Sequence, residues 1–195
     1  LRVLDRVSDQ EWFSAHSRKA AAEPRFRSLK RLPGPAQALS FEADFGSTDK
    51  RPNTLEVTLR LGENSSDLWV EADMADRDVP IKYFTFLDPL VTNSDHAAIV
   101  VTDYGNGHLY PANTKTPIRS HFSGSRLDMP WVGVCDVQRG FGYMVLLETS
   151  DDGYVSCRSQ TTGRDFAAPQ VQWAPSKGKF AYARKLLYHF APRGS

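Results

Sequence analysis

A chain of 195 residues with 24 basic and 23 acidic side chains carries a formal net charge of +1, which excludes the electrostatic footprint of a nucleic-acid binder. Its length suits one large domain that buries roughly 70% of its unfolded surface without a metal or disulfide staple. No apolar run approaches the ~18 residues of a membrane-spanning helix, so neither nucleic acid nor membrane is expected as a partner.

The amino terminus has no signal-peptide pattern. The chain opens on Leu1-Arg2-Val3 and stops at Pro192-Arg193-Gly194-Ser195, as a processed or excised segment would. Compartment therefore stays open between a bacterial cytoplasm and secretion. Asn64-Ser65-Ser66 fits a glycosylation acceptor, a short pattern of little weight.

The first segment holds one helical candidate. Ser8 and Glu11 have capping-box spacing, and Gln10 to Ala22 runs free of Gly and Pro until Pro24. Its apolar residues Trp12, Phe13, Ala15 and Ala20 make a poor stripe. The basic residues between Arg18 and Arg31 read as a solvated face or connector. Residues 1–38 are expected to form a loosely attached segment with at most one short helix, and residues 39–195 one β-domain.

From Leu39 the period is two. Phe41, Ala43 and Phe45 alternate with Ser40, Glu42 and Asp44, and Leu55, Val57, Leu59 and Leu61 alternate with Glu56, Thr58 and Arg60. Further strands are expected at Leu68–Met74, Ile81–Leu87, Ala97–Thr102, Val132–Val137, Tyr143–Thr149, Tyr154–Arg158, Val171–Trp173 and Lys185–Phe190. About ten strands separated by turn residues, with no helices between them, predict an all-β, two-sheet antiparallel sandwich. Cys135 and Cys157 both fall in such strands. They pair if those strands are neighbours and are otherwise buried thiols.

Two stretches depart from alternation. In Asp103-Tyr104-Gly105-Asn106-Gly107-His108-Leu109-Tyr110-Pro111 two glycines permit a tight hairpin. Around it stand carboxylate, phenol and imidazole groups, a mixture suited to polyols, because carboxylates accept hydroxyl protons and flat rings stack on sugar C–H faces. The alternative is an Asn-Gly turn with aromatic cross-strand packing. In Leu127-Asp128-Met129-Pro130-Trp131, Asp128 precedes a strand and Trp131 is either a stacking platform or a core plug. A third loop, Gln172-Trp173-Ala174-Pro175-Ser176-Lys177-Gly178, is a binding loop or a solvated connection. Glu148 to Gly153 carries hairpin chemistry without calcium-loop spacing.

The five histidines show no metal-ligand spacing, and no metal or cofactor is expected. There is no P-loop, dinucleotide fingerprint or nucleophile elbow. Acid–base chemistry on a sugar would use His108 or His121 with Glu148.

These motifs, followed by Gly140 to Thr149, Trp173 to Gly178 and Arg184 to Phe190 in that order, resemble the amino-terminal galactose-mutarotase-like β-sandwich of large bacterial glycoside hydrolases, over roughly Leu39 to Phe190. The resemblance implies a supersandwich that packs on a catalytic (β/α)₈ barrel of the same parent chain, with the barrel supplying the carboxylates. It also implies carbohydrate as ligand, with Asp103, Tyr104, Asn106, His108, Tyr110, Asp128, Trp131, Trp173 and Lys177 as contact candidates. Glycoside hydrolysis needs two carboxylates about 5 Å or up to ~9.5 Å apart. Nothing singles out such a pair, so this segment is not expected to be catalytic by itself. Two other readings are a free-standing carbohydrate-binding or interaction module and a mutarotase- or epimerase-type sugar enzyme.

Overall fold

The computed structural model describes residues 2–4, 11–14, 25–45, 53–81, 84–85, 87, 90–92, 94, 96–103, 106–111, 120–123, 129–150, 152–161 and 165–191, several strand segments by backbone alone. Among the described residues sixteen strands run in chain order. The first eight are β1 (Arg2–Leu4), β2 (Glu11–Ser14), β3 (Arg25–Leu32), β4 (Ala38–Phe45), β5 (Asn53–Leu61), β6 (Asp67–Met74), β7 (Phe84–Thr85) and β8 (Leu90–Thr92). The rest are β9 (Ala97–Asp103), β10 (Asn106–Pro111), β11 (Ser120–Ser123), β12 (Trp131–Asp136), β13 (Phe141–Leu147), β14 (Gly153–Thr161), β15 (Asp165–Trp173) and β16 (Arg184–Ala191). Among the described residues there is no helix.

Nine strands form one antiparallel sheet in the order β10-β9-β12-β13-β16-β6-β5-β4-β3, and four form a second, β11-β14-β15-β7. A small third sheet, β1-β2-β8, completes the set. The antiparallel sandwich expected from the alternation is present. Strand β16 lies between β13 and β6 and joins two groups of strands into the large sheet.

Period-two alternation decides which face is buried. In β6, Leu68, Val70, Ala72 and Met74 point inward, and in β13 Phe141, Tyr143, Val145 and Leu147 do the same. Val132 and Val134 of β12, with Ile99 and Val101 of β9, extend this inner face. Strand β15 packs across β9 and β12, bringing Val171 and Trp173 into the core beside Val155, Phe84 and Phe180. Each such side chain contributes about 1.5–3 kcal/mol by leaving water.

Several polar groups in this interior have identifiable partners. The Tyr143 phenol donates to the Leu90 carbonyl at 2.8 Å and ties β8 to the large sheet. The Asp136 carboxylate, fully buried, accepts from the Ser94 hydroxyl and from the Arg139 backbone N–H at 2.9 Å. Gly140, at φ 70°, closes that turn by donating its N–H to the Asp136 carbonyl. Buried Arg184 sets its guanidinium 3.7 Å from the centroid of the Tyr182 ring, a cation–π contact shielded from water.

Some expectations change. Glu11–Ser14, where the capping box suggested a helix, is a strand paired on both sides, Trp12 lying opposite Val3 and Thr92. The remainder of that helical candidate lies outside the described residues. Strand β3, which precedes residue 39, is an edge of the large sheet, and a bulge at Arg27 interrupts its register. Among the described residues, the strand expected over Ile81–Leu87 is seen as Phe84–Thr85, with a bridge from Pro80 to Lys179. Cys135 is a free thiol, because its strand β12 pairs with β13 and β9 while Cys157 sits in β14 of the other sheet. Burial, helped by the Asp136 charge, pushes the Cys135 thiol up from its ordinary value.

The two facing sheets differ in width. At ~4.8 Å per strand step the large sheet spans roughly 38 Å and the smaller roughly 14 Å. The inner face is therefore left open at its β3 end, where Phe26 is 70% exposed, Leu29 67%, Leu61 47% and Leu39 43%.

Candidate functional site

The β9–β10 hairpin is built from a register that sets Asn106 opposite Asp103 and Gly107 opposite Thr102. The two residues between, Tyr104 and Gly105, lie outside the described residues. Asn106 and Gly107 are strand residues, and Gly107 has an ordinary φ, so the reversal does not use an Asn106-Gly107 turn. Asp103 and Asn106 are described by backbone only.

His108 and Tyr110 lie opposite Val101 and Ile99, two residues of the buried face. Their rings stack with centroids 6.0 Å apart and an interplanar angle of 20°. The His108 side chain is exposed and Tyr110 packs against the core, so the pair forms a partly open aromatic ledge on the β10 edge.

Trp131 is placed from both sides. The Met129 carbonyl accepts from the Trp131 N–H at 2.8 Å and from the Thr102 hydroxyl at 2.9 Å, and the Pro130 carbonyl accepts from the Leu147 N–H at 2.7 Å. Trp131 is out of phase with buried Val132 and Val134, so it projects from the outer face of the large sheet. Its ring leans over Gly133, where an added β-carbon would stand 3.7 Å from Cζ3. Asp128 lies outside the described residues.

Trp173 is a core residue. It is 1% exposed, packs on Phe84 at 5.8 Å between centroids and donates its indole N–H to the Thr149 carbonyl at 2.9 Å. Lys177 is exposed on the following loop, just before Gly178, whose N–H donates to the Pro175 carbonyl. Glu148 is exposed beyond the end of β13. His121 lies in β11 of the smaller sheet and His108 in the large one. The structure thus brings His108 and Tyr110 together and puts Trp131 on the opposite face of the same sheet.

Cross-strand register also assembles a row that single-strand reading does not single out. On the outer face Trp131 pairs with Leu146, Leu146 with Leu187, and Leu187 with Trp69. All four are partly exposed. The neighbouring row reads Gly133, Met144, His189 and Asp67. His189 Nδ1 lies 2.6 Å from Asp67 Oδ1, and the Ser65 hydroxyl donates to Asp67 Oδ2 at 2.8 Å. The His189 contact, reinforced by Ser65 and partly opposed by burial, holds the Asp67 carboxyl below its ordinary range. The signal was available in β6, where Trp69 occupies a polar-phase position among Asp67, Glu71 and Asp73. Among the described residues no group of three or more His, Cys, Asp or Glu side chains is arranged to hold a metal ion.

The architecture defines the class: an all-antiparallel, galactose-mutarotase-like β-sandwich. Among solved structures, the α-N-acetylgalactosaminidase NagBb of Bifidobacterium bifidum, in its GalNAc complex, matches 100% of this chain at a TM-score of 0.73 and 15% identity. The match covers 35% of the NagBb chain, so this chain spans about a third of that enzyme's length. Slr1438 of Synechocystis matches 85% of this chain and 65% of its own at a TM-score of 0.54 and 9% identity. A galactose mutarotase-like protein of Clostridium acetobutylicum matches 87% of this chain and 66% of its own at 0.50 and 7%. No protein-family model and no curated protein matches the sequence.

Proposed function

We propose that this chain is an ancillary β-sandwich domain of a glycoside hydrolase, packing on a catalytic barrel and contributing its rim to carbohydrate binding. The observation that carries this reading is the match of the whole chain to one third of a glycosidase. At 15% identity that likeness is one of fold, and the function drawn from it is our inference. A second support is the open apolar corner of Phe26, Leu29, Leu39 and Leu61. An exposed patch of this kind marks a surface evolved to be covered. Basic Lys30 and Arg31 beside it suit a partner with an acidic rim.

The contacts to sugar in this reading come from the hairpin and the rim, Asp103, Tyr104, Asn106, His108 and Tyr110 with Asp128 and Lys177, while Trp131 would meet sugar on the opposite face of the same sheet. Trp173 acts from beneath, fixing the loop that carries Lys177. Catalysis belongs to the partner domain.

The test is a titration of the chain against a panel of oligosaccharides, with released sugar and anomer interconversion measured in the same samples. Binding without turnover is the expected result. Turnover would replace the ancillary role by a sugar enzyme, with His108, His121 and Glu148 as the residues to substitute. Absence of binding would remove the carbohydrate half of the proposal.

A further inference from the structure

The outer face of a sandwich sheet ordinarily faces water and is polar, and half of this one obeys. Strands β5 and β4 present Glu56, Thr58, Arg60, Glu42 and Asp44 there. Across β12, β13, β16 and β6 the same face instead carries Trp131, Leu146, Leu187 and Trp69 in a single row. The smaller sheet packs on the opposite face and does not explain them.

The two tryptophans stand three strand steps apart, roughly 14 Å. Both lean the same way along the sheet. Trp131 bends over Gly133, and Trp69 bends towards Gly62, where an added β-carbon would stand 3.3 Å from Cζ3. Gly62 donates its N–H to the Asp67 carbonyl, which sets it level with the row of Met144 and His189. Two tryptophans therefore flank Leu146 and Leu187 in this row, and at the Trp69 end stands the hydrogen-bonded His189–Asp67–Ser65 group.

We infer that this outer face binds an extended oligosaccharide, with Trp131 and Trp69 stacking on sugar rings at its two ends and His189 and Asp67 bonding hydroxyls beside the Trp69 end. The inference rests on the carbohydrate reading above and gives it a surface. Flat rings match the C–H faces of pyranoses, and imidazole and carboxylate match their hydroxyls. The separation exceeds one sugar ring, so the ligand is an oligomer rather than a monosaccharide. A protein partner fits less well, because the centres of protein interfaces are depleted of charge. Here the Lys185–Glu71 pair, at 3.6 Å, and Arg60 border Trp69.

The experiment is calorimetric titration of the whole chain with hexose and N-acetylhexosamine oligosaccharides of increasing length, with circular dichroism on every variant. Affinity is expected to rise with length beyond the disaccharide. Trp69→Ala and Trp131→Ala are each expected to weaken it about tenfold or more. Trp69→Phe, which keeps a ring and the strand packing, recovers most of the loss. Binding that survives both alanine variants but disappears in His108→Ala or Tyr110→Ala would overturn the inference and leave the carbohydrate reading in place. Silence towards every oligosaccharide would overturn both.

Discussion

Three tryptophans with described side chains show how one residue type serves different ends. Trp173 shares its phase with Val171 and meets Phe84 across the core, its indole N–H satisfied by Thr149. Trp173→Ala is expected to cost about 3–5 kcal/mol in denaturant unfolding, the range for emptying a large aromatic site. Trp69 and Trp131 lie out of phase with their buried neighbours, and their removal is expected to cost far less stability. Asp67 gives a pH-dependent case. Its carboxyl titrates below the ordinary value of 3.8 in the folded chain. The His189 contact therefore adds stability above the unfolded carboxylate's pKa and loses it as pH falls through the lower folded value. The melting temperature of the wild type should fall towards that of Asp67→Asn as pH drops below the ordinary carboxylate value of 3.8. The difference at neutral pH is expected to stay below about 1 kcal/mol, because the pair is partly exposed. Whether each tryptophan was plug or platform was legible only in part. Phase within a strand assigns Trp131 and Trp173 to opposite faces once the strands are known. Nothing local says which tryptophans share a row, because that depends on register between strands distant in sequence.

At the level of elements, the β12–β13 hairpin brings two backbones unusually close. A β-carbon at Gly142 would stand 2.7 Å from the Val134 carbonyl oxygen and 3.2 Å from the Cys135 α-carbon, both in the chain backbone. Gly142→Ala should therefore destabilise by about 1–3 kcal/mol, as overpacking does. Gly107 is the contrast. It sits in β10 with open space around it and an ordinary φ, so Gly107→Ala should be neutral or gain up to about 1 kcal/mol. Chemical denaturation of both variants checks the pair, and a large loss at Gly107 would restore the turn reading of Asn106-Gly107. Most strands from Leu39 onward were legible because they are half-buried and alternate cleanly. Strand β3 was not, since the bulge at Arg27 sets Phe26 and Leu29 three apart instead of two. Short β8 and β11 carry too few residues for a period to show. The capping-box spacing at Ser8 and Glu11 was overridden at Glu11–Ser14 by pairing with β1 and β8, tertiary contacts that local propensity does not contain.

For the molecule as a whole, the mismatch in sheet width leaves apolar surface that contributes little to the fold of this chain. Phe26→Ser with Leu29→Ser is expected to shift unfolding by less than about 1 kcal/mol, since both side chains already face solvent. The same pair should reduce binding of a hydrophobic dye and, in the proposed reading, weaken attachment to the catalytic domain. A large stability loss would show instead that the corner belongs to this chain's own core. The sandwich class was legible from alternation and turn spacing. The open corner was not, because it depends on how many strands each sheet recruits.

The place of β16 bears on how such a chain assembles. Among the described strands it alone bridges the group running from β10 to β13 and the group running from β6 to β3. A ribosome delivers it after the other described strands, so the two half-sheets can form early but cannot be fused until Arg184–Ala191 has emerged. Pairings of such long sequence separation are slow to close, and the waiting edges of β13 and β6 are open to wrong partners meanwhile. Completion of this fold is therefore a late event, and a nascent chain halted before residue 184 should be held as two separate sheets in need of a chaperone.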